Sequence, residues 1–200
     1  MTPSTPFHTL ANSLMPAASF PNILLRNTIL AFVGSVLLAI SSKISVPFYP
    51  VPMSMQTFMV LTIGMAYGWR LGGVTVLLYL AEGAAGLPVF AGTPLKGIGL
   101  AYMSGPTGGY LLGFFIAAVT VGWLAEKGWD RNVFSTLFAM TIGTALIMAP
   151  GVMWLGVLFG WEKPIFEWGL FPFLPGAAFK IALAAAVLPL AWKYLASRKN

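Results

Sequence analysis

The 200-residue chain is 58% hydrophobic and only 8% charged, where soluble domains carry roughly 25% charged residues. Most of its side chains therefore never meet water, and it reads as one compact integral membrane domain. The net charge of +6 comes from cations scattered between apolar runs, which excludes a nucleic-acid-binding face, and the absence of cysteine excludes disulfide and thiol chemistry.

Residues 1–28 form a polar N-terminal segment. It holds the only histidine, His8, and lacks the features of a signal peptide. A membrane domain over 29–195 follows, with a short tail at 196–200. A bilayer core of ~30 Å needs about 20 apolar residues as helix, fewer where flanking residues snorkel. Six spans are predicted on that basis. The first covers 29–44. The second (53–67) and third (71–85) are short and joined by the tight "GWRLGG". The fourth covers 107–124. The fifth, 133–159, carries no charge and is expected to kink at Pro150, which removes a helix hydrogen bond. The sixth, 171–195, contains Lys180. The runs do not alternate apolar and polar residues, so a β-barrel is excluded. The fold class is an all-α integral membrane protein.

Basic residues in short loops set orientation. With the N-terminus cytoplasmic, the inner segments hold seven cations, Arg26, Arg70, Lys127, Arg131, Lys193, Arg198 and Lys199. The outer ones hold Lys43, Lys96 and Lys163. Both termini are therefore expected inside. The segment "GLPVFAGTPLKGIGLAYMSGPTGGYLLG", 86–113, then begins on the outer side. It has eight glycines and three prolines in 28 residues, so it breaks helices. Yet it is too apolar for a solvated loop. Irregular backbone at membrane depth is tolerated only where it is buried in protein or lines a cavity. It is expected to fold over the helices and line one. The alternative is a compact structural cap.

Two charges fall within apolar spans, Glu82 in the third and Lys180 in the sixth. Such residues usually face a cavity or a partner. Both lie toward the outer ends of their helices. Lys96 sits on the outer loop, and Gln56 near the start of the second span. These polar groups are expected to converge on one outward-facing site for a small, partly apolar, anionic solute. Pairing of Glu82 with Lys180 is the structural alternative. No histidine lies in a span, so neither metal ligation nor nucleophile–base catalysis is expected. The chain also lacks the G-x-x-x-x-G-K-[ST] loop that cradles ATP phosphates. It reads as a non-enzyme without a cofactor whose energy comes from elsewhere. Small residues at four-residue spacing allow close helix packing. Ala31, Ser35 and Ala39 form one such stripe, open to internal packing or to docking another subunit. Gly105, Gly109 and Gly113 form a second.

The motifs "VPMSMQTF" (51–58), "GLPVFAG" (86–92), "GPTGGYLLGF" (105–114) and "LPGAAFK" (174–180), in this order, resemble the BioY family over roughly residues 29–195. Those proteins are biotin-capturing S components of energy-coupling-factor (ECF) vitamin transporters. The resemblance implies six helices in the cell (inner) membrane, with biotin bound near the outer face. It implies a transmembrane coupling (T) subunit and two ATPase (A) subunits as partners. The coupling subunit would dock on the Ala31, Ser35, Ala39 face. Carried over residue by residue, the biotin site is Glu82, Lys96, Lys180, Tyr110 and Gln56. One position departs: many relatives have an acid directly after the Pro-Gly, where this chain has Ala177. The ligand suits the inventory. Its carboxylate wants a cation, its ureido ring wants donors and acceptors, and its ring and chain want apolar walls. Alternatives are an S component for another vitamin and a non-transporting membrane scaffold.

Overall fold

A computed structural model describes residues 8–197; Arg198 and Lys199 of the orientation argument lie outside them. Eight helices occur among the described residues: α1 (Leu10–Leu14), α2 (Ile23–Lys43), α3 (Gln56–Ala84), α4 (Gly99–Met103), α5 (Gly108–Ala125), α6 (Val133–Phe159), α7 (Ile165–Gly169) and α8 (Leu174–Ser197). A small antiparallel hairpin, β1 (Ser45–Val46) and β2 (Met53–Ser54), joins α2 to α3 and pairs Ser45 with Ser54. It was not anticipated in an all-α chain. Five helical segments are long and apolar enough to cross a membrane. Side chains such as Phe32, Phe138, Val157, Phe179 and Leu190 are exposed on their outer faces, as lipid contact requires.

The α3 segment is two arms. A continuous 29-residue helix would be about 43 Å long. Yet Gln56 Nε2 donates to Tyr79 Oη, 23 residues on. The chain doubles back at Gly68, whose φ of 82° lies in the left-handed region open mainly to glycine. The arms then meet closely: a Cβ on Gly72 would come 3.0 Å from the Gly64 Cα. "GWRLGG" is thus the turn that its composition suggested. The α5 helix packs against both α3 and α6. The α6 helix runs on through Pro150, the position at which a kink is expected.

The first membrane helix starts at Ile23, six residues before the expected boundary. Asn22 caps it, its Oδ1 accepting from Leu24 N at 2.8 Å. Arg26, read as the loop before the span, is 3% exposed inside the helix. Its guanidinium donates to Met15 O (2.7 Å), Asn12 Oδ1 (2.8 Å) and Asn27 Oδ1 (3.0 Å). A buried charge is tolerated once hydrogen-bonded, so the charge does not end the helix. The boundary at residue 28 therefore falls within α2. The chain before it packs on α3 through α1, with Leu10 and Ala11 buried.

The Ala31, Ser35, Ala39 stripe faces inward. Ala31 is 5% exposed, Ser35 is fully buried, and Ala39 is half-buried. Residues of α2 on this side lie against α3, with Gly34 beside Thr75 and Tyr67. In the isolated chain this face thus turns toward the core, while the outward face carries Phe32, Val36 and Ile40. Ala31→Leu is accordingly expected to destabilise the isolated protein by about 1–3 kcal/mol, the usual cost of overpacking. A thermal melt in detergent checks it, and an unchanged midpoint would return the stripe to the surface. The glycine stripe is also internal. Gly113 abuts the α6 backbone at Leu146 and Ile147.

The two ends of the bundle differ in charge. Arg70 follows the α3 turn, where Trp69 N donates to Glu126 Oε1 at 3.3 Å. Beside it, Arg131 donates to His8 O (3.2 Å) and stacks 4.2 Å from the Trp192 ring. Trp192 Nε1 donates to Asp130 Oδ2 at 2.6 Å. Burial raises the Asp130 carboxyl from its ordinary pKa, against the lowering effects of that bond and of the Arg131 charge. Lys127 and Lys193 flank this cluster. Lys43, Lys96 and Lys180 lie at the other end, together with the hairpin and the 86–108 loop.

Candidate ligand-binding cavity

At the less basic end, seven parts of the chain surround about 550 Å³ of space, open mouth included. The α3 start contributes Gln56 and Thr57, and α5 contributes Tyr110, Leu111 and Phe114. Met148 comes from α6, and Ala177 and Lys180 come from α8. The hairpin turn adds Val51, Pro52 and Ser54; the irregular loop adds Ala91, Tyr102 and Thr107; Phe173 completes the wall. The loop thus lines a cavity, as its apolar and helix-breaking composition suggested. It is also anchored, because Phe90 is 1% exposed between Tyr79 and Tyr102.

Among the described residues, Lys180 is the only charged side chain in this lining. Its Nζ donates to Ser54 O at 2.6 Å and Thr57 Oγ1 at 3.0 Å. An ammonium has three N–H donors, so two neutral acceptors orient it and leave a third donor for a ligand. Neither acceptor neutralises the charge. A cavity walled mainly by apolar and aromatic groups around such a cation favours an anion with an apolar body.

Gln56 is 4% exposed. Besides its bond to Tyr79, its Oε1 accepts from Ser54 Oγ at 3.0 Å. Tyr79 Oη donates onward to Val89 O at 3.0 Å, so the amide is held by the loop it faces. Tyr110 donates its hydroxyl to Gly169 O at 2.6 Å. Its ring lies 6.1 Å from that of Phe173. It therefore offers the cavity an aromatic wall, with its hydroxyl proton already used.

Gln56, Tyr110 and Lys180 are brought together. Glu82 and Lys96 are not in the lining. Glu82 Oε1 accepts from Ser35 Oγ at 2.9 Å, tying α3 to α2. The alternative pairing of Glu82 with Lys180 does not form, since the partners of Lys180 are Ser54 and Thr57. Lys96 is exposed at the rim, donating to Phe48 O at 3.2 Å. Sequence reasoning missed Ser54, Thr57 and Thr107 as lining residues, although all three stand in the motifs quoted above. It also missed Tyr102, which stands in the loop expected to line a cavity, and Phe173 and the supporting Tyr79, for which no local signal exists.

The family model described as "BioY family" matches residues 11–197. A "Probable biotin transporter BioY" of Pyrococcus horikoshii is 36% identical over 151 residues, covering 76% of this chain and 86% of that protein. A "Biotin transporter BioY" of Thermotoga maritima is 35% identical over 164 residues, covering 82% and 94%. A crystal structure of the S-component for biotin from an ECF-type ABC transporter superposes with a TM-score of 0.73. It covers 87% of this chain and 94% of its own, at 23% identity, and establishes the likeness of fold. With the family model spanning nearly the whole chain and relatives matched over most of their length, this chain belongs to the BioY family.

Proposed function

We propose that this protein captures biotin in the Lys180 cavity and serves as the S component of an ECF transporter in the cell membrane. Separate coupling and ATPase subunits supply the energy. The observation that carries the reading is the lone cavity cation, Lys180, oriented by two neutral acceptors and facing apolar and aromatic walls. Biotin's carboxylate or ureido carbonyl meets that ammonium, Gln56 serves the ureido ring, and Tyr102, Phe114 and Phe173 cover the apolar parts. The α3 arms count as two spans, giving six crossings with both termini cytoplasmic. Arg26, Arg70, Lys127, Arg131 and Lys193 lie at the end away from the cavity, and basic residues favour the inner side, so the cavity opens outward. Glu82 and Lys96 act on the ligand only indirectly, through α2 and the rim.

Mass spectrometry of small molecules released from the purified, denatured protein tests this, together with titration of the purified protein with biotin and its methyl ester. Biotin is expected in the released fraction, and the ester is expected to bind more weakly if the carboxylate meets Lys180. Release of another vitamin would make the chain a sister S component. Absence of any ligand, with no biotin binding, would favour a scaffold.

A further inference from the structure

Lys43 closes α2 at the cavity end but does not line the cavity. Its Nζ is turned into the irregular loop. There it meets four oxygens: Pro88 O (2.6 Å), Phe90 O (3.1 Å), Thr93 Oγ1 (3.1 Å) and Thr93 O (3.2 Å). Three N–H donors are thus shared among four acceptors, and all four are neutral. Nearby amides are already committed within the loop. Val89 N donates to Leu87 O, Thr93 N to Phe90 O and Lys96 N to Gly92 O, while Pro88 and Pro94 have no N–H to give. Phe90 O also accepts from Thr93 N and from Thr93 Oγ1 at 2.6 Å, but among the described residues Pro88 O and Thr93 O accept from Lys43 alone, so these two carbonyls depend on the cation from α2.

The far side of the same turn is fastened to the cavity. Tyr79 Oη donates to Val89 O while accepting from Gln56, and Tyr102 Oη donates to Ala91 O at 2.7 Å. Gln56, Ala91 and Tyr102 all face the cavity. We propose that Lys43 is a positioning residue for the ligand: by gathering the 88–93 carbonyls onto the end of α2, it holds the Ala91 wall and the Tyr79–Gln56 pair in place. It slows ligand escape without touching the ligand. This rests on the reading of the cavity as the biotin site.

The test compares wild type, Lys43→Met and Lys43→Gln in detergent. Without ligand, amide exchange at Val89, Thr93 and Lys96 is expected to rise at least tenfold in Lys43→Met, with the α5 and α6 amides unchanged. Lys43→Gln keeps two donors without the charge and is expected to fall between; should Lys43→Met not fold, it carries the test alone. With biotin, the dissociation rate is expected to rise roughly tenfold while the association rate holds. Wild-type exchange in the variants would overturn the proposal. So would a salt-dependent loss confined to the association rate, which marks a steering charge. The exchange arm needs no ligand, so a failure of wild type to bind biotin would count against the site reading and not against the clasp.

Discussion

Lys180→Met is expected to fold and insert, yet to bind biotin at least tenfold more weakly. The substitution keeps much of the side chain's length and its apolar contacts with the cavity wall, and it deletes only the charged donor. Hydrogen bonds to charged groups are worth about 1.5–3 kcal/mol, and each 1.4 kcal/mol is tenfold in dissociation constant. The geometry sharpens the expectation. Lys180 is anchored by Ser54 O and Thr57 Oγ1 rather than by a carboxylate, so its loss strands no buried anion. What remains is two neutral acceptors, one of them a hydroxyl that can reorient. Stability should therefore change little while affinity falls. Isothermal titration with biotin beside a thermal melt separates the two roles. Tight binding by a well-folded Lys180→Met protein would remove Lys180 from the site.

The second large effect concerns the contact between α5 and α6. A Cβ on Gly113 would lie 2.7 Å from Ile147 Cα, 2.9 Å from Ile147 O and 2.9 Å from Leu146 O. All three are backbone atoms, which no rotamer change moves aside. The Leu146 carbonyl is also the acceptor that Pro150, lacking an N–H, leaves without its helical donor. Gly113 lets α5 lie against that exposed carbonyl. Gly113→Ala must push the helices apart, and a destabilisation of about 1–3 kcal/mol is expected. At about 2–4 °C per kcal/mol for a chain of this size, the melt midpoint should fall by several degrees. Because Tyr110 and Phe114 flank Gly113 and face Met148 across the cavity, biotin affinity should fall with it. Gly176→Ala is the control: a Cβ there meets nothing within 4 Å, so its midpoint should hold. Equal behaviour of the two variants would refute the close-packing account.

The sequence alone determined the membrane class, the turn at "GWRLGG", the unequal distribution of cations and the candidacy of Gln56 and Lys180. Each follows from local hydropathy, from glycine placement or from the cost of a charge in an apolar run, all of which act over a few neighbouring residues. The quoted motifs also carried the family, and with it the ligand. Tertiary structure alone decided how the helices are rotated about their axes. The spans are apolar on their lipid-facing and core-facing sides alike, so periodicity cannot show which side turns inward. That is why the Ala31, Ser35, Ala39 stripe reads equally well as an external face. Partners distant in sequence decided the rest. Asn12 and Met15 satisfy Arg26 and let α2 begin at Ile23; Ser35 takes Glu82 away from Lys180; Gly169 takes the Tyr110 hydroxyl proton. A hydrogen bond is set by which groups the packed helices bring within about 3 Å, and that distance exists only once the bundle has closed.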